Sequence, residues 1–195
     1  MRFAMTILGT LLSSNAIAGG FGLLATGGMY TETVHFYDSS KEFQQYQQSQ
    51  TIGTYGTGLE VALGDRDDKI MGLARWFWLQ ETPQKDPALS TGLVEADNVV
   101  ANWRDTTRNV GVFSVGIQWS YWTKNKLSLN ANAMFGTGFL TTDHSEFFLA
   151  EAGAGASYRL TRTMDAHMEV QYAVRNRKGL THGMNTYAGI RYLFD

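Results

Sequence analysis

From Phe148 to Leu160, every second residue of this chain is apolar: Phe148, Ala150, Ala152, Ala154, Ala156, Tyr158 and Leu160. The positions between them include Glu151, Gly153, Gly155, Ser157 and Arg159. After Thr161 to Thr163 the pattern resumes as Met164, Ala166, Met168, Val170, Tyr172 and Val174, set against Asp165, His167, Glu169, Gln171, Ala173 and Arg175. Side chains alternate across a strand at period two, so each stretch has one apolar face and one charged face. A soluble sheet would turn the charges to water. A barrel in a bilayer does the reverse, with the apolar face outside and the polar face enclosed.

The N-terminus favours the bilayer. Arg2 supplies a positive charge, Phe3 to Leu12 form a short apolar core, and Ala16-Ile17-Ala18 fits small-x-small cleavage. The expected organisation is a signal peptide over residues 1–18 and one barrel domain over 19–195. No later stretch reaches the roughly 18 apolar residues of a spanning helix. The mean hydropathy of -0.22 fits a barrel, because lumen residues dilute the lipid-facing ones. Cysteine is absent, so no disulfide framework supports the fold. A net charge of -2 gives no reason to expect a nucleic acid partner.

Eight strands are predicted, near 22–36, 51–63, 70–80, 109–121, 127–139, 148–160, 164–174 and 185–194. The first alternates poorly and is interrupted by Gly27-Gly28. The third is apolar on both faces apart from Arg75, which is placed inward because an Arg at mid-bilayer costs about 2–4 kcal/mol. Connections alternate in length. Residues 65–69, 122–126 and 161–163 are short, whereas 37–50, 81–108, 140–147 and 177–184 are longer. Short periplasmic turns and long external loops are the rule for such barrels. Pro83 and Pro87 both fall in the longest predicted loop, as expected of residues that disrupt a sheet interior.

The expected fold is therefore all-β: an eight-stranded antiparallel up-and-down transmembrane β-barrel of the bacterial outer membrane. Aromatics fall into two groups by strand end. Trp119, Tyr121, Trp122, Tyr158, Tyr192 and Phe194 lie toward the periplasm; Trp76, Trp78, Phe139, Phe148 and Tyr172 lie toward the outside. Two aromatic belts are what bilayer interfaces select.

Strand parity sends Glu60, Glu151, Asp165 and Glu169 inward with Arg75, Arg159, Arg175 and Arg191. Eight strands leave a bore just wide enough for side chains to fill. Charges there must pair or meet water. The expectation is a lumen plugged by ion pairs and hydrogen bonds, with no wide pore. His167, between Asp165 and Glu169 at period two, also projects inward. Two carboxylates with a His allow a proton path, an acid–base group or a metal site, but i, i+2 spacing on one strand is a weak metal signature. A structural polar network is the preferred reading, and no metal or cofactor is expected.

Tyr192-Leu193-Phe194-Asp195 resembles the C-terminal signal of outer membrane proteins. The resemblance implies that the barrel-assembly machinery reads Tyr192 and Phe194. That signal usually ends on the aromatic residue, and here Asp195 follows. Residues 147–194 also resemble the lipid A 3-O-deacylases, eight-stranded outer membrane hydrolases, through Gly179-Leu180 and Gly183-Met184-Asn185. The catalytic positions depart from that family. Val174 stands where the base would be and Asn176 where the nucleophile would be, and no Asp or Glu lies between Glu169 and Asp195. An acyl-transfer hydrolase needs a hydroxyl or thiol and a base to activate it. No catalytic residue is assigned, and Asp143-His144-Ser145 reads as a solvated loop.

The leading expectation is a monomeric barrel with a structural or surface-interaction role. It is surrounded by outer membrane lipid and lipopolysaccharide, and Trp103-Arg104 in its longest loop are types that anchor contacts. A deacylase-like enzyme and a narrow pore or ligand carrier are the alternatives.

Overall fold

The computed structural model describes residues 18–38, 45–65, 68–83, 99–101, 107–141, 146–176 and 180–194. Among these residues nine strands occur, in this order: β1 (Gly19–Asp38), β2 (Gln45–Leu63), β3 (Ile70–Pro83), β4 (Val99–Ala101), β5 (Arg108–Lys124), β6 (Leu127–Leu140), β7 (Glu146–Arg159), β8 (Met164–Asn176) and β9 (Leu180–Phe194). Eight of them close a barrel in the order β2-β3-β5-β6-β7-β8-β9-β1, with β1 pairing back to β2. All neighbours are antiparallel. Closure leaves no unpaired edge within the wall, which a bilayer requires. The short β4 pairs with β1 at Phe36↔Ala101, beyond the point where β9 ends against β1 at Thr31↔His182.

The strands are longer at the outer end than the sequence predicts. β2 begins at Gln45, so the glutamine-rich segment contributes strand rather than loop. β3 runs to Pro83, which pairs with Ile52 and so lies at a strand end and not in the loop. β9 starts at Leu180 and includes His182. Pro87, Trp103-Arg104, Asp143-His144-Ser145 and the signal residues 1–17 lie outside the described residues.

Alternation controls facing throughout. Phe21, Leu23 and Met29 of β1 are exposed, whereas Leu24 and Tyr30 are buried, so the glycines do not break the strand. In β3, Ile70, Trp76 and Trp78 face out, and Met71, Leu73, Arg75, Phe77 and Leu79 face in. The outward set is predominantly apolar, including Phe113, Val115, Ile117, Phe135, Val170 and Ile190. The aromatics of both predicted belts are exposed on this surface. An apolar girdle around a bore of buried ionised groups places the protein in the bacterial outer membrane.

One turn differs informatively. The sequence places Trp122 in a turn, but β5 continues to Lys124 and only Asn125 and Lys126 connect it to β6. Asn125 takes φ 57°, a left-handed conformation that Asn tolerates. A bulge between Ser120 and Trp122 leaves Tyr121 without a cross-strand partner. The extra residue resets the parity, so Trp122 follows Tyr121 onto the exposed face. Tyr121 packs on Trp119 with ring centroids 5.9 Å apart. The bulge thus adds an aromatic anchor at the short-turn end.

Candidate functional site

The bore is layered. At its waist sits an ion-pair lattice. Arg75 donates from Nε to Glu60 Oε2 at 2.7 Å, and from Nη1 and Nη2 to the two oxygens of Glu169 at 2.9 and 2.8 Å. Arg191 donates from Nε to Glu60 Oε1 at 2.7 Å, and its Nη2 lies 2.6 Å from the same oxygen. Gln171 donates to Glu169 Oε2 at 2.7 Å. Glu60 and Arg191 sit on β2 and β9, with β1 between them. They meet because the intervening residue in register is Gly22. A Cβ there would lie 3.5 Å from Glu60 Oε1 and 3.1 Å from the Ile190 carbonyl.

A second polar cluster lies toward the outer end. Glu151 Oε1 accepts from Tyr187 Oη at 2.6 Å and Asn185 Nδ2 at 2.7 Å. Asn185 also bonds the Tyr30 hydroxyl. Arg175 pairs with Glu81 across the bore and lies over the Tyr30 ring at 3.7 Å. Tyr187 links the two clusters, with its ring 5.0 Å from Phe77 and 5.5 Å from the Arg75 guanidinium.

Apolar groups separate and flank these clusters. One group, Leu24, Phe77, Leu79, Val112, Leu140 and Phe147 among others, lies at and beyond the waist on the outer side. A smaller one, Ala62, Met71, Leu73, Met134 and Leu193, lies on the short-turn side. The lumen is therefore filled by apolar side chains as well as ion pairs, which charge balance in the sequence does not reveal. Glu81 is a further lumen residue that the sequence reading assigns to the loop beginning at residue 81. Its buried position opposite Arg175 follows from β3 extending to Pro83.

Glu60, Arg75, Glu151, Asp165, His167, Glu169, Arg175 and Arg191 are all buried, and Arg159 is half-buried. Asp165 does not join His167 and Glu169. It pairs in register with Arg159 and Arg191 and lines a cavity at the short-turn mouth. The second carboxylate near His167 is Glu60, whose Oε1 is 4.0 Å from Nε2. Glu60, His167 and Glu169 each bring a ligand atom within 4.8 Å of the others. As a metal centre this set fits poorly. Every oxygen of both carboxylates already accepts from a guanidinium, and a dication would be added beside Arg75 and Arg191. Among the described residues, both ring nitrogens of His167 lack a hydrogen-bond partner.

Val174 and Asn176, the positions aligned with a deacylase base and nucleophile, lie on the outward face of β8. His182 stacks against Tyr172 on that outer surface, with centroids 6.2 Å apart. This geometry adds nothing to the deacylase likeness.

No family model and no curated protein matches the sequence. Solved structures do resemble the fold. Neisserial surface protein A aligns over 89% of this chain and 97% of its own, with TM-score 0.48 and 11% identity. Ail, the attachment invasion locus protein of Yersinia pestis, aligns over 90% and 99%, with TM-score 0.41 and 11% identity. The outer membrane protease OmpT of Escherichia coli aligns over 93% and 98%, with TM-score 0.40 and 11% identity. These are likenesses of barrel architecture alone, and the assignment to a membrane rests on the girdle and the enclosed charges.

Proposed function

We propose that this protein is a small integral outer membrane barrel with a closed lumen and a structural or surface-interaction role. The observation that supports this best is the lattice at the waist. Arg75 and Glu60 are fully buried, and together with Glu169 they tie β2, β3 and β8 across the bore. A bore of eight strands has room for such side chains but not for a solvent column beside them. Lipid and lipopolysaccharide would contact the girdle, and the assembly machinery would read Tyr192 and Phe194 in a monomer. The loops at the outer end would meet surface partners.

Two measurements test the reading. Purified barrel in planar bilayers is expected to give no steady single-channel steps, and reproducible steps would overturn the closed lumen. In cells lacking the protein, a variant with residues 84–98 replaced by a short Gly-Ser turn separates the roles. Restored detergent resistance supports a structural role. Restoration by the full chain alone supports a role for the loop. Failure of both chains to change any envelope or attachment property would reject the proposal.

A further inference from the structure

We propose that the short-turn mouth of the barrel is a binding site for a small carboxylate-bearing polar molecule, seated on Arg191. A cavity of about 280 Å³ opens there, close to the lower end of the usual range for ligand sites, about 300–1,000 Å³. Short turns mark the periplasmic end, so the site would draw its ligand from the periplasm.

Charge decides the ligand class. Lys69, Lys126, Arg159 and Arg191 line the cavity against Asp68 and Asp165. Glu60, bonded to Arg191 behind the cavity, offsets one cation more, so the surplus is one positive charge, which raises the local concentration of anions. Asp165 stands in register with Arg159 and Arg191, so a cation flanks it on each side.

Arg191 gives the anion a specific seat. Its guanidinium is buried, and Glu60 holds it through Nε and Nη2. Nη1 instead donates to the thioether sulfur of Met71 at 3.4 Å. A thioether is a poor acceptor for a charged donor. A carboxylate oxygen would replace it with a charge-assisted bond, roughly twice as strong as a neutral one. The wall beside Arg191 is made of amides and hydroxyls. Gln118 accepts from Arg191 Nη2 at 3.2 Å, and Asn130 links Ser120 and Ser157 at 2.9 and 2.7 Å. Such a wall matches the hydroxyls and amide of an acidic amino sugar.

The test is NMR of isotope-labelled full-length barrel in nanodiscs, titrated with N-acetylmuramic acid, lactate and N-acetylglucosamine. The first two carry a carboxylate and the third does not. Saturable shifts at Gln118, Asn130 and Ser157 are expected with both acids, with a Kd of about 1 mM for the acidic sugar. Lys126→Glu, an exposed rim change that leaves the wall intact, is expected to weaken both acids at least threefold. Glu146→Gln at the opposite end should leave binding unchanged. Absence of saturable shifts with both acids would overturn the proposal. So would equal shifts with N-acetylglucosamine, or indifference to Lys126→Glu.

Discussion

Arg75 and Glu169 are 94 positions apart and meet across the lumen in a two-pronged ion pair, Nη1 and Nη2 each bonded to one carboxylate oxygen. The pair ties β3 to β8, strands that do not neighbour one another in the wall. It spans the bore, so it forms once the wall has curled to bring β3 opposite β8.

The energetics follow from what each partner leaves behind. Glu169→Ala would strand one side of a fully buried guanidinium, and removing one member of a buried pair costs about 3–5 kcal/mol. Arg75→Met combined with Glu169→Met removes both charges, while Glu60 keeps Arg191 as its partner. The double variant is expected to lose less stability than Glu169→Ala alone. Urea unfolding in detergent micelles, read by the heat-modified gel shift, measures both. A double variant less stable than the single would show that the lattice contributes more than charge compensation.

Close approach of strands at the outer cluster depends on Gly28. Gly28 is in register with Asn185, and a Cβ at that position would lie 2.2 Å from Asn185 Oδ1 and 2.4 Å from the Met184 carbonyl. A backbone carbonyl cannot move aside as a flexible side chain can. Gly28→Val is therefore expected to abolish or sharply reduce refolding yield, whereas Gly27→Val, whose Cβ would meet nothing nearer than 3.7 Å, should refold. Circular dichroism and protease resistance of the refolded proteins distinguish the two.

The bulge at Tyr121 gives a third expectation. Deleting Tyr121 removes the unpaired residue and leaves Ser120 opposite Asn130 and Trp122 opposite Leu129. Facing is kept on both sides, so the deletion should fold with the loss of one interfacial ring. Deleting Val115 would shift the segment between it and the bulge by one residue and turn Gln118 toward lipid, because a one-residue slip exchanges the two faces. The expected order of folding yield is wild type, then the Tyr121 deletion, with the Val115 deletion lowest.

Which parts of this were legible in the sequence follows from what period two can encode. The facing of β5 to β9 could be read because lipid tolerates only apolar residues outside and the lumen draws polar ones inside. Arg75 could be placed inward on energetic cost alone. The apolar inner layers could not be read, because Phe77, Leu79 and Val112 satisfy the outward rule as well as the inward one. Glu81 was lost at a strand end, where the turn residue Pro83 suggested a loop. The partners of Glu60 were out of reach too. They come from β3 and β9, and their meeting depends on Gly22, whose role is visible only once the register of three strands is known.

The orientation of the wall itself can be tested by one exposed position. Val170 lies midway along β8, exposed between Met168 and Tyr172, with Glu169 and Gln171 buried on either side. In a bilayer, Val170→Arg places a cation at mid-depth, with an expected cost of about 2–4 kcal/mol. Tyr192→Arg, near the periplasmic end of β9, should cost only about 0–1 kcal/mol, since the charge reaches the headgroups. The depth dependence separates lipid from water as the outer solvent. A soluble barrel exposes both positions equally, so both variants would then be near neutral. Folding into phospholipid vesicles across a urea series supplies the two free energies, and equal values would remove the membrane assignment.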